Sequence, residues 1–142
     1  MKIRKATAVW EGGIKEGGGR IRLESGLFDA PYTAAGRFEE GEGTNPDELL
    51  GAADAACFTM ALALALTQKG HPPRKIETEA EVSLDKVDTG HRIKGILLKV
   101  EADVPGVDEA VFREMAETAK SNCPVGAALK GTEIRLEIKR FG

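Results

Sequence analysis

The run spanning residues 49–66 limits what this chain can become more than any other stretch. Nearly every residue in it is apolar or small, and the only charge is Asp54. The flanks carry helix signals. Asn45 is a good N-cap, because its side-chain oxygen can accept from free amides of the first turn. Pro46 at the first helical position loses no needed donor. Asp47 and Glu48 stand where the helix dipole favours negative charge. Lys69 and Gly70 make a C-terminus. The spacing therefore predicts one long helix over 44–70. A helix that is apolar all round is buried on all sides, so the expectation is a buried central helix. One of the chain's two cysteines, Cys57, lies at its middle.

Length and charge narrow the class. With 142 residues, one domain over 1–142 is expected. A chain of this size buries roughly 68–70% of its unfolded surface, so neither a disulfide nor a metal is needed to hold a core. The formal net charge of −3 comes from mixed signs without a basic tract, which argues against a nucleic-acid surface. The apolar stretch after Met1-Lys2-Ile3-Arg4-Lys5 is cut short by Glu11, too early for a secretory signal. The 49–66 run approaches the roughly 20 apolar residues that span a bilayer. Its Asp54 and acidic first turn point instead to a core helix, and no membrane partner is expected. A cytoplasmic location follows as the expectation. Two cysteines there are more often redox-active or inert than a structural disulfide.

The rest of the chain reads as strands around that helix. Residues 3–10 and 20–24 alternate as half-buried strands do, and 27–32 is a short third one, so the N-terminal part is a small antiparallel meander. Residues 34–43 read as a glycine-rich acidic loop holding Arg37 and Phe38. Residues 75–85 and 92–103 alternate on either side of the turn signal Asp88-Thr89-Gly90. The second of these is apolar on both faces at its centre, which predicts cover on both sides. Asp108 opens an amphipathic helix with Val111, Phe112, Met115, Ala116 and Ala119 on one face. Asn122-Cys123-Pro124 interrupts it, 125–129 makes one more helical turn, and 132–141 is the last strand, with Ile134, Leu136 and Ile138 facing in. The class is α+β with antiparallel strands and a long buried central helix.

The cysteines are the place to look for chemistry. A reactive cysteine acts as its thiolate, so its surroundings must lower a pKa of about 8.5. Cys57 is too far from its helix N-terminus for the dipole to help. Its neighbours Ala53, Ala56, Met60 and Ala61 desolvate it, and Asp54 opposes a thiolate. On these grounds it reads equally well as an inert core thiol. Cys123 precedes Pro124, a first helical residue, which puts its sulfur near free amides that favour a thiolate. It can also be plain punctuation between two helices. Spacing does not say whether the two sulfurs meet. If they do, one can attack an oxidant and the other can condense with the sulfenic acid formed. A cation would complete such a site, and Arg37 is the candidate, although a solvated loop arginine is the blander reading. Asp47 lies roughly 15 Å along the helix axis from Cys57. It can orient an arginine but cannot touch that sulfur itself. His71, His91 and the two cysteines match no zinc spacing. Gly17-Gly18-Gly19 is not followed by a helical pattern and is no dinucleotide fingerprint. No metal and no organic cofactor are expected.

At these residues the sequence resembles the OsmC/Ohr family of thiol-dependent peroxidases. The matching runs are Gly43-Thr44-Asn45-Pro46-Asp47-Glu48-Leu49-Leu50 with Ala55-Ala56-Cys57-Phe58, then Asn122-Cys123-Pro124-Val125, and Gly36-Arg37-Phe38-Glu39 before the helix. The Arg37 loop looks more like the OsmC branch. The resemblance implies an OsmC-like fold and an intertwined homodimer with shared active sites. It implies that Cys57 is oxidised to a sulfenic acid by an organic hydroperoxide or hydrogen peroxide in stress defence. Cys123 would then close a disulfide with it, and an external dithiol, a lipoyl protein or small thiol, would reduce that bond. Arg37 would stabilise the Cys57 thiolate, positioned by a carboxylate. The family motif usually has glutamate after Asn-Pro; here Asp47 and Glu48 both stand there, Asp47 first in order and Glu48 second. A redox-sensing or apolar-ligand-binding module on the same scaffold is the alternative, as is a structural dimer with inert thiols; steady turnover of hydroperoxide separates the enzyme from both.

Overall fold

The computed structural model describes every residue, Met1–Gly142. Contacts divide the chain into two compact units, Met1–Leu49 and Leu50–Gly142.

The first unit is the expected meander. Strands β1 (Ala6–Glu11), β2 (Gly18–Leu23) and β3 (Asp29–Tyr32) pair antiparallel in chain order. Arg20 of β2 pairs across the sheet with Asp29 of β3. Trp10 meets Tyr32 edge-on at 5.4 Å between ring centroids, a favoured aromatic geometry. The segment expected as a loop after β3 contains a short helix, α1 (Ala34–Phe38). Thr33 caps it, its hydroxyl accepting from the Gly36 amide at 2.9 Å. That single cap suffices for one turn, and a five-residue helix is too short to leave a periodic signal. Gly36 is required by a close approach: a Cβ there would stand 2.7 Å from the Glu42 carbonyl oxygen.

The long helix is α2 (Pro46–Gln68). Its cap is the expected one, with the Glu48 amide donating to Asn45 Oδ1 at 2.8 Å. Gly70, at φ 86°, ends it, and the His71 amide folds back to the Leu66 carbonyl at 2.9 Å. By length and composition α2 could cross a membrane. In the fold one side of it packs on protein.

The second unit is built on that side. Strands β4 (Lys75–Val87), β5 (Gly90–Asp103) and β6 (Glu133–Phe141) form a sheet with β5 in the middle. Phe58, Leu62 and Leu66 of α2 join Ile96, Leu98 and Val100 of β5 and Phe112 and Ala116 of α3 (Glu109–Asn122) in the fully buried core. Gly51 brings α2 close to β4: a Cβ there would lie 3.1 Å from Val82 Cγ2. The Thr59 and Thr78 hydroxyls tie the same pair at 2.7 Å. A second short helix, α4 (Pro124–Ala128), follows α3, and Phe141 of β6 stacks on Phe112 at 4.5 Å.

Four expectations change. First, α2 is not buried on all sides: Ala53, Ala56, Met60 and Leu64 form an exposed stripe, with Met60 74% and Leu64 58% accessible. A helix apolar all round carries no pattern that says which face will be covered. Second, β6 runs parallel to β5, against the antiparallel reading. The two helices between them are the long crossover that parallel pairing needs. Third, only one face of β5 is fully buried; on the other, half-buried Lys99 reaches Glu79 and Glu81 of β4. Fourth, Val111 is 43% exposed, although its neighbours Phe112 and Ala116 are buried.

Candidate functional site

Two clusters of candidate residues take shape, one in each unit. In the first unit the end of α1 and the start of α2 hold Arg37 against Asp47. Arg37 donates from Nε to Asp47 Oδ2 and from Nη2 to Asp47 Oδ1, both at 3.2 Å. Two parallel bonds of this kind fix a guanidinium in position as well as in charge. The guanidinium carbon also lies 5.4 Å from the Phe38 ring centroid, within cation–π range. Asp47 is buried, at 7% exposure. Between the two acidic residues after Pro46 the geometry is unambiguous. Asp47 takes the arginine, while Glu48 accepts from the Thr44 hydroxyl at 2.7 Å. Asn45 steadies the same corner by donating to the Gly36 carbonyl at 3.4 Å.

In the second unit the fold brings the two cysteines together, which spacing alone could not show. Cys57 is half-buried on α2, and Cys123 is buried at the break between α3 and α4. Both are free thiols. Pro124 opens α4, and the next two amides, which have no helical acceptor, each find a sulfur. Val125 N–H donates to Cys57 Sγ at 3.5 Å. Gly126 N–H donates to Cys123 Sγ at 3.2 Å. The Cys57 and Cys123 side chains lie close enough to act on one another electrostatically. A five-residue helix thus holds both sulfurs with consecutive backbone donors.

The expectation that free amides favour a thiolate at Cys123 is overturned. Burial pushes the Cys123 thiol up, and the Gly126 amide opposes that without cancelling it; the neighbouring Cys57 side chain and the negative charge of Asp54 push it further. Desolvation of a thiolate outweighs one backbone donor. Cys123 rests as a thiol.

Three features of this cluster were missed in the sequence. The Val125 amide is one, since a backbone donor leaves no mark in residue types. Gly126 is another: a Cβ there would stand 2.6 Å from the Lys120 carbonyl oxygen and 3.1 Å from Cys123 Sγ, so only glycine lets the turn close. Asp54 is the third. It is 1% exposed, its Oδ2 has no hydrogen-bond partner, and burial raises its pKa. A lone carboxylate in an apolar run was the signal available for it.

The fold and this cluster define a mixed α+β protein carrying a preformed pair of reduced thiols. The family profile described as OsmC-like protein matches residues 39–139. Peroxiredoxin OsmC of Escherichia coli (strain K12) is 50% identical over 135 residues, 94% of either chain. The organic hydroperoxide resistance protein OhrB of Bacillus subtilis (strain 168) is 32% identical over 124 residues, 85% of this chain and 89% of that one. Its crystal structure superposes with a TM-score of 0.74 at 30% identity, covering 95% of this chain and 98% of that one. The chain belongs to the OsmC family.

Proposed function

We propose that this protein is a thiol-dependent peroxidase that reduces organic hydroperoxides, and hydrogen peroxide, in defence against oxidative and osmotic stress. The observation that carries the reading is the hold of consecutive amides, Val125 and Gly126, on the sulfurs of Cys57 and Cys123. Support comes from the relatives whose names are peroxiredoxin OsmC and organic hydroperoxide resistance protein.

The Cys57 thiolate attacks one peroxide oxygen; the O–O bond breaks, and the alkoxide leaves and takes a proton as the alcohol. Cys57 is left as the sulfenic acid. The Val125 amide offers that sulfur a hydrogen bond, which a charged acceptor takes more strongly than a neutral one. Cys123 then attacks the Cys57 sulfur, the S–S bond forms, the S–O bond breaks and water leaves. An external dithiol, from a lipoyl protein or a small thiol, returns two electrons and two protons by thiol–disulfide exchange. Arg37, clamped by Asp47, is given the role of the cation that stabilises the Cys57 thiolate, with Glu48 holding Thr44 at the helix entry. The chain acts as a homodimer with shared active sites; the exposed apolar stripe of α2 supports that assembly.

The test is mass spectrometry of the parent and of Cys123→Ser after one equivalent of cumene hydroperoxide. A Cys57–Cys123 disulfide in the first and a sulfenic acid at Cys57 in the second are the expected products. No mass change in either sinks the proposal.

A further inference from the structure

Asp54 is buried beside the two thiols, and nothing in the reaction described so far uses it. It sits on α2 one turn before Cys57. Both Asp54 and Cys123 border the space left open by the missing Cβ of Gly126, since a Cβ built there would lie 3.1 Å from Cys123 Sγ and 3.9 Å from Asp54 Oδ1. Its Oδ2 is fully buried with no partner. An unpartnered buried carboxyl oxygen costs stability, so its presence calls for a use. We infer that Asp54 is the base that takes the proton from the Cys123 thiol when that thiol closes the disulfide on oxidised Cys57. This rests on the peroxidase reading above.

The step balances. Cys57–SOH and Cys123–SH become the disulfide and water. The Cys123 proton passes to the Asp54 carboxylate as the S–S bond forms, then to the hydroxide that leaves Cys57. Asp54 ends as it began, and no outside acid or base is consumed. Oxidation itself prepares the step. In the reduced protein the charge of Cys57 holds the proton on Cys123; conversion of Cys57 to a neutral sulfenic acid removes that charge. Burial, which raises the affinity of Asp54 for protons, makes it a stronger base and so narrows its gap from the thiol. The surroundings offer no better acceptor. The titratable groups acting on Cys123 are Cys57 and Asp54. Lys120 of α3, whose carbonyl flanks Gly126, turns its ammonium to Glu117 at 2.9 Å. The β4 residues that meet α2 at Gly51 and Thr59 are Ala80, Val82 and Thr78, all neutral.

The experiment is single-turnover kinetics of parent and Asp54→Asn with cumene hydroperoxide, following sulfenic acid and disulfide separately across pH. Both proteins should form the sulfenic acid. Asp54→Asn should close the disulfide about a hundredfold more slowly, the low end of what a positioned base contributes, and its closure rate should rise only at higher pH. A purely electrostatic Asp54 predicts the reverse, since removing its charge makes Cys123 more acidic and closure faster. Equal or faster closure in Asp54→Asn, with an unmoved pH profile, overturns the inference. Absence of both sulfenic acid and disulfide in both proteins instead sinks the peroxidase reading. If circular dichroism shows Asp54→Asn unfolded, Asp54→Ala takes its place with added formate. Restored closure supports the base, and a rate indifferent to formate overturns it.

Discussion

Arg37 meets Asp47 edge to edge, with two nitrogens on two oxygens at 3.2 Å each. The residues are ten apart in sequence and come from different helices. The pair is therefore a product of the turn that Thr33, Gly36 and Asn45 build. Arg37 gives the buried Asp47 side chain its partner, and Arg37 is held still because Asp47 offers it two acceptors.

That pairing makes the first prediction. Arg37→Ala should keep the far-ultraviolet circular dichroism of the parent and lose rapid oxidation of Cys57, measured by stopped-flow consumption of cumene hydroperoxide. Arg37→Lys keeps the charge without the fork and should recover only part of the rate. A variant lacking the guanidinium that reacts as fast as the parent removes Arg37 from the mechanism. Asp47→Asn should lower stability by about 1 kcal/mol, because the partner side chain is a third exposed and water screens the loss; urea denaturation reads this.

Gly126 carries the second prediction. A methyl group there must displace the Lys120 carbonyl or the Cys123 sulfur. Overpacking of this kind costs about 1–3 kcal/mol, and part of the relief comes from moving Cys123. Gly126→Ala should unfold at lower urea and also close the disulfide more slowly. If it lowers stability alone, with closure untouched, the turn does not position the sulfur.

Much of this was legible in the residue order, for identifiable reasons. Asn45, Pro46 and Gly70 mark helix ends by local chemistry, so the ends of α2 were readable. Alternation marked β4 and β5, and Asp88-Thr89-Gly90 marked the turn between them. What local pattern cannot carry is partner choice. The covered face of α2 was invisible because alanine and leucine surround it evenly. The direction of β6 depends on a crossover rather than on β6 itself. The choice between Asp47 and Glu48 depends on which side of one helical turn faces Arg37, and only coordinates give that. The cysteines could be named as candidates, but local sequence points the acidity of Cys123 the wrong way. Its helix-terminal amide is visible in sequence, whereas the burial that outweighs it is not.

The exposed stripe of α2 gives the third prediction. Ala53, Ala56, Met60 and Leu64 present apolar surface along about three turns of helix. If this is where two copies of the chain meet, Met60→Glu places a charge on both sides of the contact, without a partner. Sedimentation velocity should then show the parent as a dimer and Met60→Glu as a monomer at the same concentration. A parent that sediments as a monomer, or a variant that stays dimeric, rules out this face as the interface.

Asp54 gives the fourth prediction, through stability alone. Burial raises its pKa in the folded protein above the ordinary 3.8, so between that value and the raised one the folded state binds more protons than the unfolded state. Stability therefore falls as pH rises through this window. Below about 3.8 the carboxyl is neutral in both states, and the penalty is absent. Above the raised value it is charged in both, and the full desolvation cost is present. Asp54→Asn cannot ionise. Its stability relative to the parent should be least favourable at acid pH, climb as pH rises above 3.8, and level off once Asp54 is ionised in the folded parent. Urea denaturation of both proteins at a series of pH values reads the difference. A difference that is flat with pH would show that the carboxyl titrates alike in the two states, and that the pocket beside Cys123 does not exclude water from it.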